Sequence, residues 1–249
     1  MRVKFGKKIA MNPFLAFVPG SSTSLRVFVV ICIAIVIAFV GAANVSRQPR
    51  SRFVGPPRRL LADLVVYGFL ITAIVSSGLF QRAFIPYGPI FLFGTVAIAI
   101  SVGFSRIGTT IAMGMPLGYL VGFQGFRLPL EWVLHEWSLG GTIPNTMTWS
   151  GSNWDILSGL MACIACAFVS KRLWLAWVFN FLGITLLLNV ARVAIMSSPV
   201  PFGWQVEPPL ELILYLPYAY IVPICVGGAA LGHVLLTRRL LAMRIEANQ

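Results

Sequence analysis

Long apolar runs separated by short polar or basic segments make up most of this 249-residue chain. A helix needs about 20 apolar residues to cross a bilayer, so runs of this length predict membrane-spanning helices. The weakest run, 107–123, contains four glycines and a proline, which membrane helices tolerate where neighbouring helices cover the backbone. The predicted spans are residues 25–45, 60–80, 87–104, 107–123, 154–169, 173–195 and 210–236.

The composition agrees with this pattern and excludes an ordinary soluble domain. Hydrophobic residues make up 58% of the chain and charged residues 10%, with a mean hydropathy of +0.86. A soluble domain of this size cannot hide so much apolar surface, and seven spans leave no room for a separate soluble catalytic domain. The sequence therefore predicts an all-α, polytopic bundle of about seven spans. We divide it into a basic N-terminal tail (1–24), one transmembrane domain (25–240) and a cytoplasmic C-terminal tail (241–249).

The formal net charge of +12 predicts an orientation in the membrane and does not indicate nucleic-acid binding. Most of the 19 Lys and Arg residues lie in short clusters at the ends of apolar runs, and five arginines occupy the loop between the first two runs. Basic residues accumulate on the cytoplasmic side of membrane proteins, so this loop and the C-terminus are expected to be cytoplasmic. The basic tail before the first run contradicts that pattern, which leaves the side of the N-terminus open.

Five of the seven acidic residues fall on the opposite, outer side, and the stretch 126–137 (FRLPLEWVLHEW) is the most informative part of that side. Arg127, Glu131 and His135 are four residues apart and share one face of a helix. Such a polar stripe among tryptophans predicts an amphipathic helix at the outer membrane interface. The stripe either solvates that face or forms a site in which Glu131 orients the His135 ring and Arg127 binds an anion.

Two further pairs of polar residues flank later spans. Asp155 precedes the fifth span, where it complements the helix dipole, and Ser158 lies three residues further along. Asn189 and Arg192 share a face near the outer end of the sixth span, where Arg192 either extends to the interface or turns inward to hold an acidic group. We predict no metal site and no cofactor. The candidate catalytic residues are His135, Glu131, Arg192, Asp155 and Ser158, and the candidate binding residues are Arg127, Asn153 and Asn189.

Two resemblances arise from these residues. The stretch from Phe126 through Ser158, followed by LLLNVARVAI, a PVPF turn and GH before Arg238, resembles a family of uncharacterised bacterial polytopic membrane proteins. That resemblance implies a bacterial inner-membrane protein and carries no activity.

The second resemblance is to exosortases and archaeosortases, which are membrane-embedded transpeptidase-like enzymes. Residues 157–160 (LSGL) match their Cys-Ser-Gly-Leu motif in all but the cysteine, and residues 189–192 match their Asn-x-x-Arg motif. The departure bears on mechanism, because the thiolate is the nucleophile of those enzymes and leucine cannot replace it.

Our functional expectation is an accessory, assembly or partner-binding membrane subunit without a clear catalytic signature. Its expected partners are membrane lipids and other membrane proteins. The alternatives are an exosortase-like enzyme, intact or degenerate, with an outward-facing polar site, and a carrier of small solutes or lipids. A carrier of ions or protons is disfavoured because few polar residues lie in the middle of the spans.

Overall fold

The computed structural model describes residues 17–46 and 57–247. It is 78% helical, and no strand occurs in those ranges, so the all-α prediction is confirmed for them. Most of the basic tail and most of the arginine loop lie outside the described residues. The α-helices are α1 (Ser22–Val45), α2 (Pro57–Ser76), α3 (Leu79–Arg82), α4 (Phe84–Phe104), α5 (Arg106–Gly114), α6 (Leu117–Gly122), α7 (Arg127–Leu139), α8 (Ile156–Ala165), α9 (Leu173–Ser197) and α10 (Gly227–Ala247).

Five helical stretches in these ranges are long and apolar enough to cross a membrane, which supports a multi-pass membrane protein. They are Ser22–Val45, Arg59–Arg82, Phe84–Phe104, Leu173–Ser197 and Tyr218–Glu246. The last of these continues through the π-helix Ile221–Val226 into α10 and is the most buried of the five. The bundle is therefore built around this helix, which packs against α4, α5 and α9.

The predicted count of seven spans is not confirmed, because two of the expected runs do not form long helices. Residues 107–123 divide into α5 and α6, with extended backbone at Met115 and Pro116 between them. Proline lacks an N–H group and fits the first turn of a new helix better than the interior of an old one. Residues 154–169 contain only the ten-residue α8, followed by turns.

Residues 117–139 form what we call the inner segment, which consists of α6, the 3-10 turn Phe123–Phe126 and α7. It runs antiparallel to α1, since the Tyr119 hydroxyl donates to the Ala38 carbonyl at 2.8 Å and Trp137 Nε1 donates to Ser24 Oγ at 3.1 Å. α7 packs against both α1 and α8. The predicted interfacial placement of this helix is not confirmed, because the neighbouring helices cover the face that carries Arg127 and Glu131.

The ends of the bundle differ in character. At the end we call the basic end, Arg238 donates to the Gly103 carbonyl at 2.6 Å and to Thr109 Oγ1 at 2.7 Å, which ties α10 to α4 and α5. At the opposite end, which we call the loop end, Gln81 Nε2 donates to the Leu214 carbonyl at 3.2 Å. These contacts place helix termini that are far apart in sequence on common sides of the molecule.

Each end has its own apolar core. The loop-end core includes Phe28, Trp137 and Tyr218, and the basic-end core includes Ile111 and Leu240. Between α9 and α10, Asn180 Nδ2 donates to Thr237 Oγ1 at 2.7 Å, and Asn180 Oδ1 accepts from His233 Nδ1 at 2.9 Å. His233 thus takes part in packing α9 onto α10.

Candidate functional site

Four polar side chains meet inside the loop-end half of the bundle, and we call them the polar cluster. They are Arg127 and Glu131 on α7 with Asn153 and Asp155 just before α8. Arg127 Nη1 donates to Asp155 Oδ1 at 3.0 Å. The exposed fractions are 1% for Arg127, 2% for Glu131, 0% for Asn153 and 6% for Asp155, so the predicted solvation of this stripe is wrong.

Asn153 positions both carboxyl groups of the cluster. Its Nδ2 donates to Glu131 Oε1 at 2.8 Å and to the Met147 carbonyl at 3.1 Å, while its Oδ1 accepts from the Asp155 amide at 3.1 Å. The polar residues 140–153 fold back over α7 through a series of turns that begins with the Thr142 amide donating to the Trp137 carbonyl at 2.8 Å. Residues that favour turns are frequent in this loop, and the turns that they form place Asn153 next to Glu131.

Part of the cluster's hydrogen-bonding capacity is unused. The Nε and Nη2 atoms of Arg127 are buried and have no hydrogen-bond partner among the described residues, and the same is true of Oε2 of Glu131. Nε and Nη2 form one edge of the planar guanidinium, the arrangement that donates two parallel hydrogen bonds. Buried polar groups of native proteins are generally satisfied, so these atoms point to an additional acceptor.

Burial controls the ionisation of the two carboxyl groups. Desolvation, followed by the repulsion of Asp155, raises the pKa of Glu131 to about 8. Desolvation also raises the pKa of Asp155, while the Arg127 charge and the Ser158 hydroxyl oppose that rise. Glu131 is therefore mainly protonated at neutral pH, and the Arg127–Asp155 pair is electrically neutral.

The polar cluster forms one wall of a cavity of about 110 Å³. Arg127, Glu131 and Asp155 contribute the charged and titratable groups of that wall, and the rest of the lining is almost entirely apolar. The apolar lining comes from α4, α7, α9, the loop after α9 and the long helix that contains α10, and includes Pro89, Leu130, Val190, Leu210 and Val222.

Both α4 and α9 contribute lining residues to the cavity, and the partial exposure of most of these residues indicates that the cavity opens to the outer surface of the bundle between the two helices. These two helices each pack on α10 and are not extensively packed on each other. The α9 residues that line the cavity, Leu187, Val190, Ala191 and Ala194, are only half-buried, and the neighbouring Leu188 is 67% exposed. The apolar wall is thus continuous with the apolar exterior of the long helices.

His135 does not join the polar cluster in the expected way. Its ring stacks on Trp149 with a centroid separation of 4.3 Å, and Glu131 binds Asn153 instead of the imidazole. The hypothesis that Glu131 orients the His135 ring is therefore wrong. The four-residue spacing correctly placed Glu131 and His135 on one helix face. In the structure, however, Glu131 contacts the loop residue Asn153 and His135 contacts the loop residue Trp149, so the two side chains do not bind each other.

Arg192 and Asn189 form a separate pair at the surface. The Arg192 guanidinium donates to Asn189 Oδ1 at 2.9 and 3.3 Å and lies over the Trp204 ring at 5.4 Å. The inward alternative, in which Arg192 holds Asp155 or Glu131, is wrong because Arg127 is the partner of Asp155. Asn189 still approaches the site, since its Nδ2 donates to the carbonyl of Ser152 at 2.8 Å.

Ser158 is fully buried one turn after Asp155, and its amide donates to the Asp155 carbonyl at 2.9 Å. A serine nucleophile requires a base within hydrogen-bond reach. In residues 17–46 and 57–247, neither histidine hydrogen-bonds to Ser158, and no group of three metal-ligating side chains occurs.

Raising the pH from about 5 to about 8.5 is expected to lower the thermal unfolding temperature of the purified protein. Glu131 has a higher pKa when folded, about 8, than its usual 4.5, so the folded state holds the proton more tightly. Its stabilising contribution is complete below 4.5 and is lost as the pH rises towards 8. Glu131→Gln should flatten this dependence, and an unchanged slope would contradict the assignment.

The chain was compared with family models, curated proteins and solved structures, and none of them matches it.

Proposed function

We propose that this protein binds a membrane lipid, with an acyl chain in the apolar cavity and the polar part of the lipid at the polar cluster. The observation that carries the proposal is the pairing of unsatisfied, buried donor groups of Arg127 with an apolar cavity that opens between α4 and α9. An amphipathic molecule satisfies both surfaces at once. A fully polar solute would leave the apolar walls unmatched, and a hydrocarbon would leave Arg127 without acceptors.

The dimensions fit the end of a lipid chain next to its polar group. A dry apolar cavity of roughly 150 Å³ takes up a benzene molecule, so 110 Å³ accommodates a short length of chain. The remainder of the acyl chain would extend between α4 and α9 into the hydrocarbon interior of the bilayer. Access from the side requires no aqueous path through the protein.

Among the functions expected from the sequence, a lipid carrier is the one that this arrangement favours. A partner-binding accessory role is compatible with lipid binding and stays a prediction. The exosortase-like alternative stays a prediction too, and within the described residues neither histidine hydrogen-bonds to the buried Ser158.

We further propose that the basic end faces the cytoplasm of a bacterial cell, which puts the C-terminus inside. Arg106, Arg238 and Arg239 belong to this end. The acidic residues Glu131 and Asp155 lie in the other half of the bundle. This separation follows the positive-inside tendency and supports an inner-membrane protein whose lipid site is in the outer half of the bilayer.

Ala191→Phe is expected to abolish most lipid binding, because its ring would fill the cavity at the α9 wall. The measurement is native mass spectrometry of the protein released from detergent micelles, which counts bound lipids. Ala97→Phe is the matched control, since Ala97 is exposed on α4 and the substitution adds the same ring outside the cavity. Equal lipid retention by both variants would contradict the proposal.

A further inference from the structure

We propose that the polar group bound by Arg127 is the uncharged ester carbonyl of a glycerolipid, and that Glu131 donates a second hydrogen bond to it. This inference rests on the proposed lipid-binding function and specifies which lipid atoms meet the polar cluster. It follows from the free edge of Arg127, from the charge already present in the cluster and from the free oxygen of Glu131.

The free edge of Arg127 requires an acceptor. Nη1 is engaged by Asp155 Oδ1 at 3.0 Å, whereas Nε and Nη2 have no partner and Arg127 is 1% exposed. Carboxylates, phosphates and carbonyl oxygens all accept from this edge. The geometry alone therefore selects an oxygen acceptor without deciding its charge.

The charge of the cluster excludes an anion. Asp155 already neutralises Arg127, so a carboxylate or phosphate would bring an uncompensated negative charge into a cavity with apolar walls. An unpaired buried charge costs several kcal/mol, whereas an ester carbonyl accepts hydrogen bonds and brings no net charge. Glycerolipid esters are abundant in a lipid bilayer, to which the cavity would open between α4 and α9.

Glu131 completes the site as a donor. Its Oε1 accepts from Asn153 at 2.8 Å, which leaves Oε2 to carry the proton and donate it towards an acceptor. Arg127 on the same helix and Asp155 before α8 are the ionisable groups that act on Glu131 within the described residues, and burial keeps it mainly protonated. Once ionised, Glu131 repels a carbonyl oxygen instead of binding it.

The test is competition for photo-crosslinking by a diazirine-bearing 1-palmitoylglycerol, with the crosslinks mapped by mass spectrometry. Unlabelled 1-palmitoylglycerol, palmitate and hexadecane compete at equal mole fractions in detergent micelles at about pH 6.5. The ester should compete at least about tenfold better than hexadecane, because hexadecane accepts no hydrogen bond from the charged donor. It should also compete at least about tenfold better than palmitate, because the palmitate carboxylate would bring an unpaired negative charge into the cavity. Crosslinks are expected on the cavity-lining residues of α9.

The effect of pH separates this site from nonspecific partitioning. Between about pH 6.5 and about pH 9.5 the wild-type protein should lose at least about tenfold in ester affinity as Glu131 ionises. Glu131→Gln keeps an acceptor for Asn153 and a donor for the ester, so it should bind the ester equally at both pH values.

Arg127→Lys should lose the preference for ester over hexadecane, because lysine lacks the two-nitrogen edge. Arg172→Lys, at an exposed residue just before α9 that does not line the cavity, is the control and should keep that preference.

The possible results distinguish the two proposals. Equal competition by all three molecules, with crosslinks still in the cavity, overturns the ester assignment and leaves lipid binding intact. Stronger competition by palmitate also overturns it, in favour of an anion. Absence of cavity crosslinks, together with an Ala191→Phe variant that retains lipid, overturns the proposed function itself.

Discussion

Replacing Arg127 by methionine is expected to lower the free energy of unfolding by about 3–5 kcal/mol, because it leaves the buried Asp155 without its cation. Asp155 is only 6% exposed, so bulk solvent does little to replace the lost partner. The loss should be larger at neutral than at acidic pH, where Asp155 is protonated in both states. Denaturation in mixed micelles, followed by circular dichroism, measures the change.

The double variant Arg127→Met with Asp155→Leu should recover most of that loss, because an apolar pair of similar volume removes both buried charges together. Arg192→Met is the control for loss of an arginine, and its exposed side chain predicts a change within about 0.5 kcal/mol. If the double variant is as unstable as the two single changes combined, the two side chains are not coupled and the ion pair is not the cause.

Replacing Trp137 by alanine is the second large effect, with an expected loss of about 3–5 kcal/mol. Trp137 is fully buried at the loop end, where its ring packs on Phe28 at 5.2 Å and on Tyr218 at 4.9 Å between centroids. Its Nε1 also donates to Ser24 Oγ at 3.1 Å. The substitution therefore opens a large cavity and removes the hydrogen bond that fixes the inner segment to α1.

Trp132→Ala provides the comparison on the same helix. Trp132 is 41% exposed, so its loss should cost much less than the loss of Trp137. Thermal unfolding in one detergent, monitored by circular dichroism at 222 nm, a wavelength that reports helix content, compares the two variants. Similar destabilisation by both would mean that α7 is not held between α1 and α8 as described.

The sequence predicted which side chains share a helix face more reliably than it predicted which neighbouring helices cover that face. Four-residue spacing correctly put Arg127 and Glu131 on one face of α7, because that spacing follows from the turn of the helix. It did not reveal that α1 and α8 cover this face, since spacing carries no information about neighbours. The ion pair joins residues 28 positions apart, and only the fold of the intervening loop brings Asp155 to Arg127.

The predicted count of seven spans was not confirmed, for a related reason. Hydropathy sums composition along a window, and the run 107–123 is apolar enough to suggest a span, although Pro116 and its neighbours divide it into two helices. The inner segment that follows is instead defined by tertiary contacts, such as those of Tyr119 with Ala38 and of Trp137 with Ser24. The position of these short helices depends on residues that pack against them from elsewhere in the chain, and a hydropathy window does not include those residues.

By itself the sequence determined that the described residues are helical and that several of their helices are long and apolar enough to cross a membrane, because apolar run length acts locally and adds along the chain. Only the tertiary structure decided that Arg127, rather than Arg192, pairs with Asp155, that Asn153 positions Glu131, and that an apolar cavity adjoins them. Burial and pairing depend on side chains from α4, α7, α9 and α10 that meet only after folding. Because an unpaired buried charge is energetically costly, these few polar residues have a large effect on the free energy of unfolding.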